Sequence, residues 1–154
     1  MTAIHEFKYG AKPSLAKPLG LLLSSFARTW LEPDKTLLLM PVPLHPRRLR
    51  ERGFNQSLLL AREVAKDLKA ELDFLSLQRI KYTEPQTGLG SEERSKNVRR
   101  AFQVLGREAV RKKSIVLVDD VATTGSTLNE CARALKKAGC REVFCLVLAR
   151  TSTF

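Results

Sequence analysis

The stretch SIVLVDDVATTGSTLNE, Ser114 to Glu130, runs a strongly apolar segment into two adjacent carboxylates, Asp119 and Asp120, and then into small hydroxyls and a glycine. An uninterrupted, β-branched run of this kind reads as a parallel strand buried on both faces. Two carboxylates side by side repel unless a cation, a hydroxyl-rich ligand or solvent satisfies them. The residues that follow supply the rest of a ligand site. Gly125 lets the backbone approach an anion closely, and Thr123, Thr124, Ser126 and Thr127 offer hydroxyls. A helix starting near Ser126 adds free N–H groups and the positive end of its dipole. The combination is a phosphate cradle with a carboxylate pair beside it. A sugar phosphate matches both halves: its phosphate sits in the cradle while its ring hydroxyls donate to Asp119 and Asp120, directly or around Mg²⁺.

Two other strand-end acidic pairs fit less well. A P-loop nucleotide site needs a glycine followed by lysine, and no glycine in this chain has that neighbour. A receiver domain carries its acidic pair early, whereas little chain follows Asp120. A simple helix cap needs one Ser or Thr and no acids.

Outward from this centre, strands and helices alternate. PSLAKPLGLLLSSFARTWLE predicts a helix or two short ones with Leu15, Leu19, Leu22, Leu23, Phe26 and Trp30 on one face, and Pro18 limits where a long helix starts. TLLLMPVPLHP predicts a short strand ended by prolines. NQSLLLAREVAKDLKAEL predicts an amphipathic helix capped by Asn55 and running on to Leu72. DFLSLQRI, AFQVL and EVFCLVLAR predict further strands, and STLNECARALKKAG predicts a helix ended by Gly139. KYTEPQTGLGSEERSKNVRR predicts a polar loop giving way to a helical turn. The fold class expected is α/β, an open, mainly parallel sheet flanked by helices, with ligands at the carboxyl ends of the strands.

Composition bounds the function. At 154 residues and 44% hydrophobic content the chain is expected to form one domain, residues 1–154, with a real core. No apolar run is long enough to span a bilayer and the first residues lack the order of a secretory signal, so a cytoplasmic location without membrane insertion is expected. Cys131, Cys140 and Cys145 lack the close pairing of a zinc or redox site and read as plain thiols. Lys and Arg number 27 against 16 Asp and Glu, a net charge of +11, so the surface should attract polyanions.

IVLVDDVATTGST resembles the signature of type I phosphoribosyltransferases, which bind 5-phosphoribosyl-1-pyrophosphate (PRPP) with Mg²⁺. The resemblance implies a PRPP site at Asp119, Asp120, Val121, Ala122, Thr123, Thr124, Gly125, Ser126 and Thr127, with Mg²⁺ at Asp119 and Asp120, directly or through water. PVPLHPRRLRERGFNQSLLLARE and TEPQTGLGSEERSKNVRRAF are similar to the ComF family, the competence-protein-F-like proteins, and the likeness runs from about Phe7 to Arg150. It implies a pyrophosphate loop after Val42 with Arg47, Arg48, Arg52 and Gly53. It also implies a mobile flap from Tyr82 to Arg94, with Gln86, Arg94 and Asn97 in the flap region. The residues suit these roles: guanidinium forks bind phosphate oxygens, and Gly53 and Asn55 permit tight turns. His45 is the histidine near the site, but phosphoribosyl transfer mainly needs charge stabilisation as pyrophosphate leaves.

Members of this family often carry a cysteine-rich, zinc-binding segment before the region matching Phe7, and this chain shows none. Nucleobase phosphoribosyltransferases add a hood over the acceptor; here no residue is identified as binding an acceptor. The family implies a PRPP- and Mg²⁺-binding protein serving DNA uptake in natural competence, with single-stranded DNA and DNA-uptake proteins as partners. Arg47 to Arg52 and Arg94 to Arg100 would meet the DNA phosphates. The alternative is a metabolic phosphoribosyltransferase that transfers ribose 5-phosphate to a nucleobase or amine.

Overall fold

The computed structural model describes residues 13–32, 36–83 and 96–150. A 3₁₀ turn, Pro13–Leu15, leads into α1 (Ala16–Ala27), followed by β1 (Leu37–Pro41), α2 (Pro46–Arg52) and α3 (Gln56–Leu68). Then come β2 (Glu71–Leu72), β3 (Leu77–Arg79), β4 (Phe102–Val104), β5 (Ser114–Ala122), α4 (Ser126–Lys137) and β6 (Glu142–Arg150). The main sheet has the order β2-β1-β5-β6 with every neighbouring pair parallel. The expected open parallel sheet with flanking helices is therefore present, and β5 lies inside it.

The apolar run of β5 is shared between two cores because successive side chains leave opposite faces of a strand. Val116 and Val118 join Leu37, Leu39 and Leu146 under α1 and α3, packed on Leu23, Leu60, Ala61 and Val64. Ile115 and Leu117 join Leu38 and Met40 on the other face, where they meet Leu128, Cys131 and Leu135 of α4. At full burial each such side chain contributes about 1.5–3 kcal/mol of hydrophobic free energy, so the uninterrupted run is needed on both sides.

The structure changes four sequence-based expectations. DFLSLQRI and AFQVL do form strands, but they pair with each other, antiparallel, as a ribbon separate from the main sheet, with Leu77 opposite Val104 and Arg79 opposite Phe102. Helix α3 stops at Leu68, where Lys69 takes a left-handed conformation (φ 53), and Leu72, expected on the helix, pairs with Leu39 in the sheet. On α1, Leu22 and Phe26 are exposed (62% and 57%), and the buried stripe is Ala16, Gly20, Leu23 and Ala27. The reason is close helix packing: a Cβ at Gly20 would stand 2.4 Å from Glu63 Cβ of α3. Finally, the arginine-rich segment after β1 is a helix rather than a loop. Pro46 stands at its first turn, where a missing N–H costs nothing, and His45 Nδ1 accepts the Arg47 N–H at 3.2 Å as the N-cap.

Register positions the site. β1 pairs with β5 only as far as Val118, with Val42 N–H still donating to Val118 O at 2.9 Å. From Asp119 onward β5 pairs with β6 alone. The chain departing β1 opens into α2 beside the last residues of β5.

Candidate functional site

Asp119 and Asp120 lie within the last four residues of β5, at its carboxyl end, Asp119 half-buried and Asp120 buried. The partners of Asp119 are instructive. Its Oδ1 accepts the Ser57 hydroxyl at 2.7 Å and the Asp120 N–H at 2.9 Å, while Asp120 Oδ1 accepts the Val121 N–H at 2.8 Å. Donors to an ionised carboxylate make shorter, stronger bonds than neutral pairs do. Ser57 sits in the first turn of α3, so this bond ties the start of α3 to the end of β5. Asn55, at the N-cap of α3, works on both sides: its Oδ1 accepts from Ser57 N and Leu58 N, and its Nδ2 donates to Val42 O at 3.1 Å. Asn55 is thus a cap with extended backbone (φ −107), rather than the tight turn expected of it.

Beyond Val121 and the buried Ala122, residues 123–125 turn the chain into α4. Gly125 is left-handed (φ 76), and a Cβ built there would meet no heavy atom within 4 Å. Its glycine is required by backbone conformation, and the space above it is open to a ligand. Thr124 Oγ1 and Ser126 Oγ lie 2.8 Å apart, and the N-cap of α4 makes no side-chain cap bond. Ser126 N–H reaches Thr124 Oγ1 at 3.4 Å, and the following amides of the first turn have no helical acceptor, with the dipole behind them, as in a helix-terminus anion site. Thr123 is exposed, and Thr124, Ser126 and Thr127 are half-buried around this turn.

Two arginines of α2 are engaged within their own helix, and a third reaches the start of α3. Arg47 Nε and Arg48 Nη1 meet Glu51 Oε1 and Oε2 at 3.2 and 3.1 Å, and Arg52 Nη1 donates to Gln56 Oε1 at 3.0 Å. Hydrogen bonding from Arg48 holds the Glu51 carboxyl below its usual range; burial opposes it, and Arg47 adds to the lowering. Gly53 closes α2 in left-handed conformation (φ 83), its N–H donating to Leu49 O at 2.8 Å.

Of the flap residues, Gln86 and Arg94 lie outside the described residues; Asn97 is half-buried in a helical turn, residues 96–98. The start of the flap is visible. Tyr82 packs edge-on to His45 (ring centroids 5.3 Å apart) and lies 4.4 Å from the Arg47 guanidinium. The segment leaving β3 thereby touches the cap of α2.

Three residues escaped the sequence reading. Ser57 gave no signal beyond its place in a helix start. Arg79, a cation within an apolar strand, did give one: its guanidinium sits 5.5 Å from the Phe102 ring and donates to Thr83 Oγ1 at 2.6 Å. Its Nε is buried without a hydrogen-bond partner. Burial lowers the Arg79 pKa while Cys131 and Asp119 oppose that shift. Glu130, an acid on the apolar face of α4, is buried; it accepts the Arg100 N–H at 2.8 Å and pairs with Arg133 at 3.0 Å.

No group of three or more His, Cys, Asp or Glu among the described residues is placed to hold a metal ion. Two carboxylates at a strand end suit Mg²⁺ in its usual manner, where one or two acids share the ion with water and the ligand's phosphates. No helix among the described residues is long and apolar enough to cross a membrane.

A phosphoribosyl transferase domain family matches residues 55–153, which contain α3, the acidic pair and the Gly125 turn. The chain is 37% identical to competence protein F of Haemophilus influenzae over 73% of its own length and 49% of that protein's. It is 34% identical to the DNA utilization protein YhgH of Escherichia coli over 96% of its length and 66% of that protein's. It therefore spans about half to two thirds of these curated relatives. Among solved structures, glutamine PRPP amidotransferase from B. subtilis aligns with a TM-score of 0.62 at 18% identity, covering 94% of this chain and 30% of the enzyme. A purine phosphoribosyltransferase from Pyrococcus horikoshii aligns with a TM-score of 0.53 at 18% identity, covering 90% and 76%. At that identity the likeness is one of fold. An acidic pair ending a central parallel strand, an open glycine turn at a helix start and these relatives agree: the chain belongs to the phosphoribosyl transferase domain family, on its competence-protein-F side.

Proposed function

We propose that this domain binds PRPP together with Mg²⁺ and serves DNA uptake in natural competence, in the cytoplasm, beside single-stranded DNA and DNA-uptake proteins. The observation that carries the PRPP reading is the open, left-handed Gly125 turn directly after Asp119 and Asp120. In this reading the amides of 124–127 hold the 5-phosphate, with the hydroxyls of Thr123, Thr124, Ser126 and Thr127 around it. Asp119 and Asp120 accept the ribose hydroxyls, and Ser57 keeps Asp119 turned toward α3. Mg²⁺, held by Asp119 and Asp120 directly or through water, would supply charge neutralisation at the pyrophosphate. Arg47, Arg48 and Arg52 reach pyrophosphate oxygens by exchanging Glu51 and Gln56 for the ligand, with Gly53 giving the backbone its turn. The flap bearing Gln86, Arg94 and Asn97 covers the ligand and excludes water.

The competence role is supported by the relatives' names, competence protein F and DNA utilization protein, and by the net charge of +11. Calorimetric titration with PRPP, with and without Mg²⁺, tests the ligand. Saturable binding that strengthens with Mg²⁺ is expected, and no heat with either would overturn the reading. Pyrophosphate release in the presence of a nucleobase or amine would instead make the protein a metabolic phosphoribosyltransferase.

A further inference from the structure

Four cations gather where the ribbon opens toward the flap. Lys81, Lys96, Arg99 and Arg100 line an open surface hollow of about 320 Å³. They come from both legs of the flap: Lys81 follows β3, and residues 96–100 lead into β4. The legs are joined at their base, since Ile80 N–H and Lys81 N–H both donate to Ala101 O, at 2.8 and 3.4 Å.

Charge balance separates this cluster from the arginines of α2. Arg47 and Arg48 share Glu51, Arg28 has Asp67 and Lys113 has Glu71. Among the described residues, none of the four cavity side chains makes an ion pair or hydrogen bond. Among the described residues, Glu130, the acid nearest in the bonding network, is committed elsewhere, to the Arg100 N–H and to Arg133. That first bond also holds Arg100 in a left-handed conformation (φ 55), which a side-chain-bearing residue adopts only at a cost. Four like charges around one concavity repel each other and lower the free energy of any anion that enters. Lys81 is two residues past Arg79, about 7 Å along an extended chain.

We propose that this cavity is a second phosphate site, separate from the Gly125 turn, that takes the phosphate of a nucleotide unit, free or within a single nucleic-acid strand, while PRPP occupies the turn. Simultaneous occupancy rests on the PRPP reading; the phosphate site does not. Because Arg47 and Arg48 share Glu51 while the cavity side chains have no acid partner among the described residues, the strand is held at Lys81, Lys96, Arg99 and Arg100 and leaves the pyrophosphate side to PRPP.

The test compares two triple variants of equal charge change in the full chain. Lys81→Gln, Lys96→Gln and Arg99→Gln empty the cavity of three cations; Lys17→Gln, Lys66→Gln and Lys137→Gln remove three exposed cations elsewhere. Binding of a fluorescent oligothymidylate, thymidine monophosphate and inorganic phosphate is measured over a range of salt, with PRPP affinity measured in parallel. The cavity variant should weaken oligothymidylate binding on the order of tenfold or more at low salt and flatten the log–log salt slope by about 2, three contacts at roughly 0.7 each. The control variant should stay within about twofold, and both should bind PRPP alike. Thymidine monophosphate losing affinity in parallel identifies a free nucleotide as sufficient, whereas an effect on the oligonucleotide alone identifies the strand. Equal losses in the two variants, displacement of the oligonucleotide by saturating PRPP, or binding of inorganic phosphate alone would each overturn the proposal. Failure of the wild type to bind PRPP would strike the proposed function and leave the cavity result intact.

Discussion

Gly125→Ala isolates the ligand role of the turn because the structure supplies a matched control. Gly125 and Gly106 are both left-handed, at φ 76 and 62, and at each a Cβ would meet nothing within 4 Å. Alanine at either position therefore adds a backbone penalty of about 1–2 kcal/mol and no clash. At about 2–4 °C per kcal/mol for a chain of this size, both variants should melt roughly 2–8 °C lower. Only Gly125 follows the carboxyl end of β5; Gly106 precedes a 3₁₀ turn, Arg107–Ala109, at the opposite end of that strand. PRPP at about 100 times its Kd should stabilise the wild type and Gly106→Ala by about 2.7 kcal/mol, a rise of roughly 5–11 °C. A Cβ in the space the phosphate enters should cut affinity on the order of 100-fold, leaving about 0.4 kcal/mol and roughly 1 °C at the same concentration. Differential scanning fluorimetry with and without PRPP and Mg²⁺ reads both effects. Equal ligand-induced rises in the two alanine variants would refute the cradle.

Gly20→Ala should cost about 1–3 kcal/mol by overpacking, because its Cβ would clash with Glu63 Cβ, which lies too near the backbone to swing away. Urea unfolding checks this, and a loss below that range would mean that α1 and α3 part easily. Glu51→Gln removes the shared acid from Arg47 and Arg48 and should tighten pyrophosphate binding, most at low salt; a titration showing weaker binding would mean that Glu51 positions those arginines for the ligand. Burial, then the Asp119 carboxylate, pushes the Cys131 thiol well above its usual range, with Arg79 opposing. Its folded pKa is raised, so its contribution to stability is complete below the ordinary thiol pKa and is lost as pH rises toward the folded value, by up to about 1.4 kcal/mol per pH unit. Cys131→Ala should flatten the fall in stability above about pH 8.5, and an unchanged slope would place the ionisation elsewhere.

The strand and helix around the acidic pair were legible because local pattern and tertiary role coincide there: a β-branched run, then small residues, then an amphipathic helix ended by Gly139, left-handed at φ 94. Pairing was not legible. DFLSLQRI and AFQVL read correctly as strands, yet nothing local says that Leu77 meets Val104 in a ribbon of their own. The prolines near His45 were read as breakers, although proline in a first helical turn is a start signal when a capping side chain precedes it. Leu22 and Phe26 follow the helical period of Leu19 and Leu23, yet they are exposed. The contact with α3 instead uses the small residues Gly20 and Ala27 with Leu23. Arg79 and Glu130 became intelligible only once ribbon and helix were seen together, since each is fixed by partners distant in sequence.

The division of β5 between two cores bears on how the molecule comes apart. Val116 and Val118 hold one side of the sheet while Ile115 and Leu117 hold the other, so neither helical layer keeps its wall if the strand is lost. A half-unfolded species retaining only one layer would expose the reverse face of β5 to water, several apolar side chains at once. Such a species is disfavoured, and the two layers should melt as one cooperative unit. In amide exchange, β5 and its two flanking strands then share the slowest class, with α1, α3 and α4 bound to the same global opening, and the ribbon, though outside the main sheet, is tied to it through Leu77 and Phe102, which are buried in the core beneath α4.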